Sequence, residues 1–289
     1  MWGRIREVGT VGTVRTVRTV RTVLAALLVF CAPRPARAQS VEVRFLDVGQ
    51  GDAALIRSGE CAALIDAGMR DDAARRLAAL GVERLDYLIA SHKHRDHIGG
   101  VGEVLRAAKV GLYIQNGRPE RSQTQRFTLA MLAREGTPLR TASLDTLACG
   151  DARLIVAASP VAGAGGDQND RSVIVRLELG EFSALFTGDS GFEQLRAMIE
   201  AGWARSATVL KAAHHGARDG VTPLWIARVH SDVVVISAGA RNAYGHPDPV
   251  ALRYYLAGGR EVYRTDRDGE VVVRGEAGGQ FAVEVTSVP

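Results

Sequence analysis

At 289 residues, 46% hydrophobic and 24% charged, the chain is long and apolar enough to bury a sizeable core, which excludes disorder as the default state. Its formal charge of +4 is carried by its beginning: the first 38 residues hold seven Arg and one Glu, and the remainder sums to −2. A mildly acidic remainder excludes a strong global pull on nucleic acid, because non-specific binding rests on Lys and Arg neutralising phosphates; a local basic site stays open.

Residues 8–23 repeat a Val-Gly/Arg-Thr triplet, and a period of three matches neither helix nor strand. Arg15, Arg18 and Arg21 precede an apolar stretch from Val23 to Phe30, and Ala36-Arg37-Ala38 has the small-x-small form of a signal-peptidase site. Residues 1–38 therefore read as an export signal, with the mature protein periplasmic or extracellular after cleavage near Ala38. A membrane anchor fits less well, since the run falls far short of the roughly 20 apolar residues that span a bilayer. A lipoprotein signal fits poorly too, with Phe30 before Cys31. Residues 39–289 contain no Pro/Ser-rich linker or charge block and read as one domain.

Val41 to Leu46 alternates apolar and polar residues, and Ala53 to Arg57 and Ala62 to Ile65 are apolar runs punctuated by Gly49, Gly51 and Gly59. That pattern predicts an N-terminal meander. Cys61 and Cys149 stand outside any Cys-x-x-Cys spacing. They can pair in an oxidising compartment, but the place of Cys61 inside an apolar strand favours buried, unpaired thiols.

Helical periodicity follows at Asp71 to Leu80, Val101 to Ala108, Gln125 to Arg134, Phe192 to Ala201, Pro223 to Val229 and Pro249 to Leu256. Strand-like runs separate them at Leu85 to Ala90, Val110 to Ile114, Ser172 to Leu179, Phe182 to Thr187, Ala207 to Ala212 and Asp232 to Ser237, with a strand-rich tail from Glu261. Strands first, then alternating strands and helices, then strands again predict an α+β fold: two mixed sheets face to face with helices outside, an αββα four-layer sandwich. The Gly/Ala run 162–166 lacks the Gly-Lys-Ser/Thr ending of a phosphate-cradling loop and reads as a surface loop.

The chemistry gathers at strand ends. After the strand Leu85 to Ala90 come His92, His94, Asp96 and His97, then Gly99-Gly100 before a helix. Imidazole and carboxylate bind zinc- or manganese-like ions, and a short loop directs them alternately at two positions. His92 and His94 serve one ion in this reading, Asp96 and His97 a second. A solvated His-rich turn is the plain alternative, but six of the seven histidines fall in three short clusters.

Leu185 to Phe186 leads into Thr187-Gly188-Asp189, where the glycine lets a carboxylate enter a crowded place. A strand-end Asp alone is usually a helix cap; beside the His cluster, Asp189 is the natural bridging carboxylate. Next come Lys211-Ala212-Ala213-His214-His215-Gly216 and Tyr244-Gly245-His246-Pro247. Adjacent histidines on an extended backbone point to opposite sides, so one of His214 and His215 is a ligand, with His215 favoured. The other holds substrate phosphate, passes a proton or makes a structural hydrogen bond. Asp96, His214 and His246 are the candidate catalytic residues, whereas His230 has no such context. Lys93, Arg95 and Lys211 beside the presumed ligands hint at an anionic substrate, against the alternative of idle loop charges.

With these residues assembled, the sequence resembles the metallo-β-lactamase superfamily, and within it the branch typified by the C-terminal domain of the DNA-uptake protein ComEC, from Val41 to about Val273. The carrying motifs are Phe45 to Asp52, Leu64 to Gly68, the His cluster, Leu185 to Asp189, His214-His215-Gly216, Asn242 to Pro247 and Val262 to Asp266. The resemblance implies the αββα fold and gives Asp66 the role of orienting the His loop rather than binding metal. Asp47, Gln50 and Asp52 match the branch signature, with either a role at the site or turn formation alone. Two departures stand out. No histidine occurs from residues 98 to 213, where many members place another ligand, so Asn169 or Asp170 is left to contribute an oxygen or the position stays open. Ala217 stands where the branch commonly has Ser.

The resemblance and the residues together lead to an exported hydrolase holding one or two divalent ions, Zn or Mn first. It would act on a small-molecule or nucleic-acid phosphoester through a metal-activated water. The alternatives are β-lactam or other amide and ester hydrolysis, and a non-catalytic metal-binding module of the same fold.

Overall fold

The alternation at the start of the domain is realised as three antiparallel strands, β1 (Ser40–Phe45), β2 (Ala54–Ser58) and β3 (Cys61–Ile65), in a computed structural model that describes residues 39–162, 167–257 and 259–286. The export signal read at 1–38 and residues 163–166 of the Gly/Ala run lie outside the described residues. After β3 the chain runs through α1 (Asp72–Ala79), β4 (Arg84–Ile89), α2 (Arg95–Ile98), α3 (Val101–Ala107), β5 (Lys109–Gln115), α4 (Gln123–Arg134) and β6 (Leu139–Thr141). Here β3, β4, β5 and β6 pair in parallel.

The second half repeats this plan. An antiparallel meander of β7 (Asp145–Cys149), β8 (Ala152–Ala157), β9 (Ile174–Leu179) and β10 (Phe182–Phe186) gives way to α5 (Phe192–Glu200), β11 (Val209–Lys211), α6 (Pro223–Val229), β12 (Val233–Ile236), α7 (Pro249–Leu256) and β13 (Glu261–Arg264). Strands β10 to β13 pair in parallel. A short helix, α8 (Thr265–Asp268), returns the chain to the first sheet, where β14 (Glu270–Glu276) pairs with β1 and β15 (Phe281–Thr286) forms the edge. Among the described residues the sheets have eight strands, β15-β14-β1-β2-β3-β4-β5-β6, and seven, β13-β12-β11-β10-β9-β8-β7.

Period-two alternation sorts the apolar side chains into layers. Val41, Val43, Phe45, Ala63 and Ile65 of the first sheet meet Leu154, Val175, Leu177, Phe182 and Ala184 of the second in one core between the sheets. The opposite face of the first sheet, with Leu55, Leu64, Leu85 and Leu88, packs on Leu77, Val104 and Met131 of α1, α3 and α4. Leu185, Leu210 and Val234 of the second sheet pack on Leu195, Trp225 and Tyr255 of α5, α6 and α7. These are the four layers expected. Local chemistry starts the helices where the sequence places them: Thr222 and Asp248 accept from the backbone amides of Trp225 and Val250, each just before a proline at the first turn.

The sequence reading passed over β6, β7 and β8. Residues 145–157 form a β-hairpin turned at Gly150-Asp151, and the apolar alternation in Leu154 and Val156 is the signal that identifies it. The reading of unpaired thiols is also corrected. Cys61 lies on the side of β3 that faces the other sheet, and there it forms a disulfide with Cys149 at the end of β7, 88 residues away. Sequence separation concealed a meeting that only the stacking of two sheets creates.

Because this bridge closes a long loop across the sandwich, a Cys61→Ser/Cys149→Ser variant is expected to lose about 2–5 kcal/mol, read as a lower urea midpoint. Two titratable thiols in the wild-type protein would overturn the pairing.

Candidate metal centre

Parallel strands of both sheets end at one edge of the sandwich, and five of them, β3, β4, β10, β11 and β12, carry a functional side chain past their last residue. Such carboxyl ends are where open sheets present ligands. Asp66 follows β3, the His loop follows β4, Asp189 follows β10, His214 and His215 follow β11, and His246 lies on the loop after β12. The loops are stitched together: Ser91 O accepts from Val173 N at 2.8 Å, Asp52 N donates to Asp96 O at 3.2 Å, and Ala67 N donates to His97 O at 2.8 Å.

Two glycines permit close approach. At Gly188, with φ +54°, a Cβ would stand 2.6 Å from Ser172 Oγ and 2.7 Å from Ser91 Cβ. At Gly51, φ +138°, it would collide with Asp96 O.

The hydrogen bonds of the buried histidines define which nitrogen each presents. Asp66 accepts from Ser91 N and Ser91 Oγ, both at 2.7 Å, and lies 2.9 Å from His97 Nδ1. A carboxylate only accepts, so Ser91 spends its proton on Asp66, and its oxygen is left to accept from His92 Nδ1 at 3.1 Å. His215 Nδ1 faces the carbonyl of Ser237 at 3.0 Å and must carry the proton there. His92, His97 and His215 therefore all turn Nε2 inward.

There the lone pairs meet. His97 Nε2 is 3.1 Å from Asp189 Oδ2, and His215 Nε2 is 3.2 Å from Asp96 Oδ2 and 3.4 Å from Asp189 Oδ2. Asp96, His97, Asp189 and His215 each offer one ligand atom, all within 4.8 Å of one another, a set that can hold a metal ion. Beside it, His92 Nε2 is 3.0 Å from His94 Nδ1 and 3.8 Å from Asp189 Oδ2. His97 Nε2 and Asp189 Oδ1 are buried without a hydrogen-bond partner. Orphaned polar atoms at the middle of a nitrogen and oxygen donor set are what a divalent cation satisfies, so the residues present fit one.

Protons and a cation compete for such a site. Burial disfavours charged imidazoles, yet Asp189 and Asp66 raise His97 well above the ordinary histidine range, and Asp189 and Asp52 do the same for His215. Burial likewise opposes ionisation of Asp189, but His215 and His97 hold it well below the usual carboxylate range. His92 is pushed well down by burial and by His97.

The structure brings together most of the residues singled out in the sequence. The centre opens into a cleft of about 510 Å³ whose walls include Arg95, Asn169, His214, Tyr244 and His246. Asn169 Nδ2 lies 3.4 Å from His214 Nε2, and its Oδ1 is buried and unpaired. His214 Nδ1 meets Asp219 Oδ1 at 2.9 Å, a partner that no sequence motif marks. The ring of His246 stacks on exposed Tyr244, centroids 5.7 Å apart, and Asn242 organises their loop by hydrogen bonds to Tyr244 N, His246 N and His246 O.

Four points left by the sequence are corrected or decided. His214 and His215 do not lie on extended backbone: both are left-handed, with φ 49° and 54°, and this turn separates their rings. Asp170 points away from the centre, its Oδ1 accepting from Gly191 N and Gln194 N at the start of α5, so it caps the helix that Asp189 leaves uncapped. Asp47 stands apart and closes a turn by accepting from Gly49 N at 3.2 Å. Lys93 and Lys211 are buried against Arg118 O and Asp52, so neither offers a charge to substrate, and Arg95 alone of the three lines the cleft. Ser172, in the Asn-x-x-Ser stretch, proves to support Asp189 by accepting from its backbone amide at 3.1 Å.

Comparison with known proteins agrees with this geometry. The family model described as the metallo-beta-lactamase superfamily matches residues 46–240. ComE operon protein 3 of Bacillus subtilis is 30% identical over 200 residues, covering 68% of this chain and 26% of that protein. Competence protein ComA of Neisseria gonorrhoeae is 27% identical over 251 residues, covering 85% and 34%. The chain thus spans about a quarter to a third of the length of these relatives. Among solved structures, the metallo-beta-lactamase fold protein YhfI from Bacillus subtilis superposes with a TM-score of 0.54 at 14% identity, over 85% of this chain and 100% of that one, a likeness of fold. The family match, the αββα layers and the His/Asp centre at their edge agree: the chain belongs to the metallo-β-lactamase superfamily.

Proposed function

We propose that this protein hydrolyses phosphoesters, phosphodiesters foremost, at one or two divalent ions, zinc or manganese, held by His92, His94, Asp96, His97, Asp189 and His215. The observation that carries the reading is the convergence of His97 Nε2 and His215 Nε2 with Asp96 and Asp189, in which His97 Nε2 and Asp189 Oδ1 are unpartnered, with His92 Nε2 3.8 Å from Asp189 Oδ2 beside them. The chemistry such ions supply when bound is activation of water and neutralisation of charge on phosphoryl oxygens.

The chain's own groups fit an anionic, polar substrate. Arg95 brings a cation to the cleft, while Asn169, His214 and His246 offer polar atoms around its floor. His214 is held above its ordinary pKa, because Asp219 and Asp189 outweigh the opposing effect of burial. His246, lowered by burial and by His215 and His214, stays neutral beside it.

We also propose that residues 39–289 act as one exported domain. The basic-then-apolar start and the Ala36-Arg37-Ala38 site support export, and the Cys61–Cys149 disulfide suits an oxidising compartment. No helix among the described residues is long and apolar enough to cross a membrane.

Stripped and reconstituted protein is expected to bind at least one equivalent of zinc or manganese and to turn over bis(p-nitrophenyl) phosphate. Asp189→Asn and Asp96→Asn should each lower that turnover by more than about 100-fold, beyond the 10–100-fold that outer partners typically cost. Less than one equivalent of metal would sink the centre, and turnover of a chromogenic cephalosporin alone would replace the phosphoester reading with amide hydrolysis.

Expressed with its N-terminus in a bacterium, the chain should yield an envelope species beginning at Gln39 by mass spectrometry. Recovery there of the uncleaved chain would refute the signal.

A further inference from the structure

Asp52 and Lys211 belong to motifs on opposite sheets, and nothing in the proposed chemistry uses them directly. Asp52 precedes β2 of the first sheet and Lys211 is the last residue of β11 in the second, yet the two side chains form an ion pair. Both are buried, at 5% and 3% exposure. A buried charge pair is weak evidence for stability, because the cost of desolvating both ions offsets much of their attraction. Its placement points elsewhere.

The Asp52 carboxylate lies directly behind the metal centre. Oδ1 is 3.2 Å from His215 Nδ1, and Oδ2, the oxygen held by Lys211, is 3.8 Å from His97 Nδ1. His215 Nδ1 thus faces two acceptors, Asp52 Oδ1 and Ser237 O, neither of which can donate to it. The ring is also attached to strained backbone: His214 and His215 take left-handed φ values of 49° and 54°, a conformation that persists only when its surroundings over-determine it. The Ser237 side is braced in turn, since Thr265 Oγ1 accepts from Ala238 N at 3.0 Å and Gln50 Oε1 accepts from Gly239 N at 3.1 Å. The cavity that Asp52 and Lys211 line with Asp66 and Ser237 has about 10 Å³ of free space, room for no more than one water.

We propose that Asp52 and Lys211 are a positioning pair for His215: Lys211 anchors one carboxylate oxygen so that the other stands 3.2 Å from Nδ1, where its negative charge steadies the ring whose Nδ1 proton Ser237 O accepts and keeps Nε2 aimed at the metal. This rests on the metal centre proposed above. It assigns the end of the Phe45 to Asp52 signature to the site rather than to turn formation, and it makes metal retention depend on a contact between the two sheets.

The test uses the folded mature chain with zinc as probe, affinity read by competition with a chelator, and cobalt(II) absorption as a report on ligand geometry. Asp52→Asn is expected to weaken zinc binding by about 10–100-fold and to alter the cobalt spectrum, with Lys211→Arg closer to wild type than Lys211→Met. The Asp52→Asn/Lys211→Met double variant removes both charges, so it stays informative if a single variant leaves an unpaired buried ion and fails to fold. Folded double variant with wild-type zinc affinity and cobalt spectrum would show a structural bolt only and overturn the proposal. Failure of the wild-type protein itself to bind zinc would overturn the metal centre, and the pair's role with it, and is distinguished by appearing before any substitution.

Discussion

Lone pairs of two buried imidazoles and two carboxylates are aimed at one small volume, with a third imidazole beside them, and in a medium of low dielectric that arrangement is repulsive unless a cation or protons fill it. The surrounding structure is organised to hold it. Each histidine spends its Nδ1 proton on an acceptor behind it, and each acceptor sits at the end of a strand or in a loop fastened to one. The raised pKa values of His97 and His215 and the depressed one of Asp189 express the same confrontation in protons, which a metal would displace.

That demand explains where the backbone is strained. Among the described residues four non-glycines are left-handed; Asp66, His214 and His215 belong to the centre or its immediate support, and His230 ends α6. A conformation costing on the order of 1–3 kcal/mol per residue persists where neighbours over-determine it. Asp66 accepts from Ser91 and faces His97, and His215 is held from both sheets by Ser237 O and Asp52. The three apolar layers supply the rigidity on which these loops rest, and the twofold plan of meander followed by parallel strands brings carboxyl ends from both sheets to a single edge.

Much of this was legible in the chain. Period-two and helical patterns locate nearly every long element within a residue or two, because burial on one face leaves a period in the sequence. Within residues 139–157, β6 has only three residues and lies largely exposed at an edge, whereas β7 and β8 carry the alternation of ordinary strands. At the site, the ligand candidates could be read because His and Asp after apolar strands are rare and chemically specific. Lys211 illustrates the converse: a lysine beside a ligand looks like a charge for substrate, and only burial shows that it faces inward to Asp52.

The sequence by itself determined the layers, the family resemblance and the donor set, since each follows from local spacing and residue chemistry. Tertiary structure alone decided which atoms those donors present. Asp170 turned to a helix end while Asn169 stayed at the cleft; Cys61 met Cys149, and Asp52 met Lys211 and His215, because these last pairings arise from two sheets stacking face to face. Proximity across 88 or more positions of chain leaves no periodicity for a sequence to show.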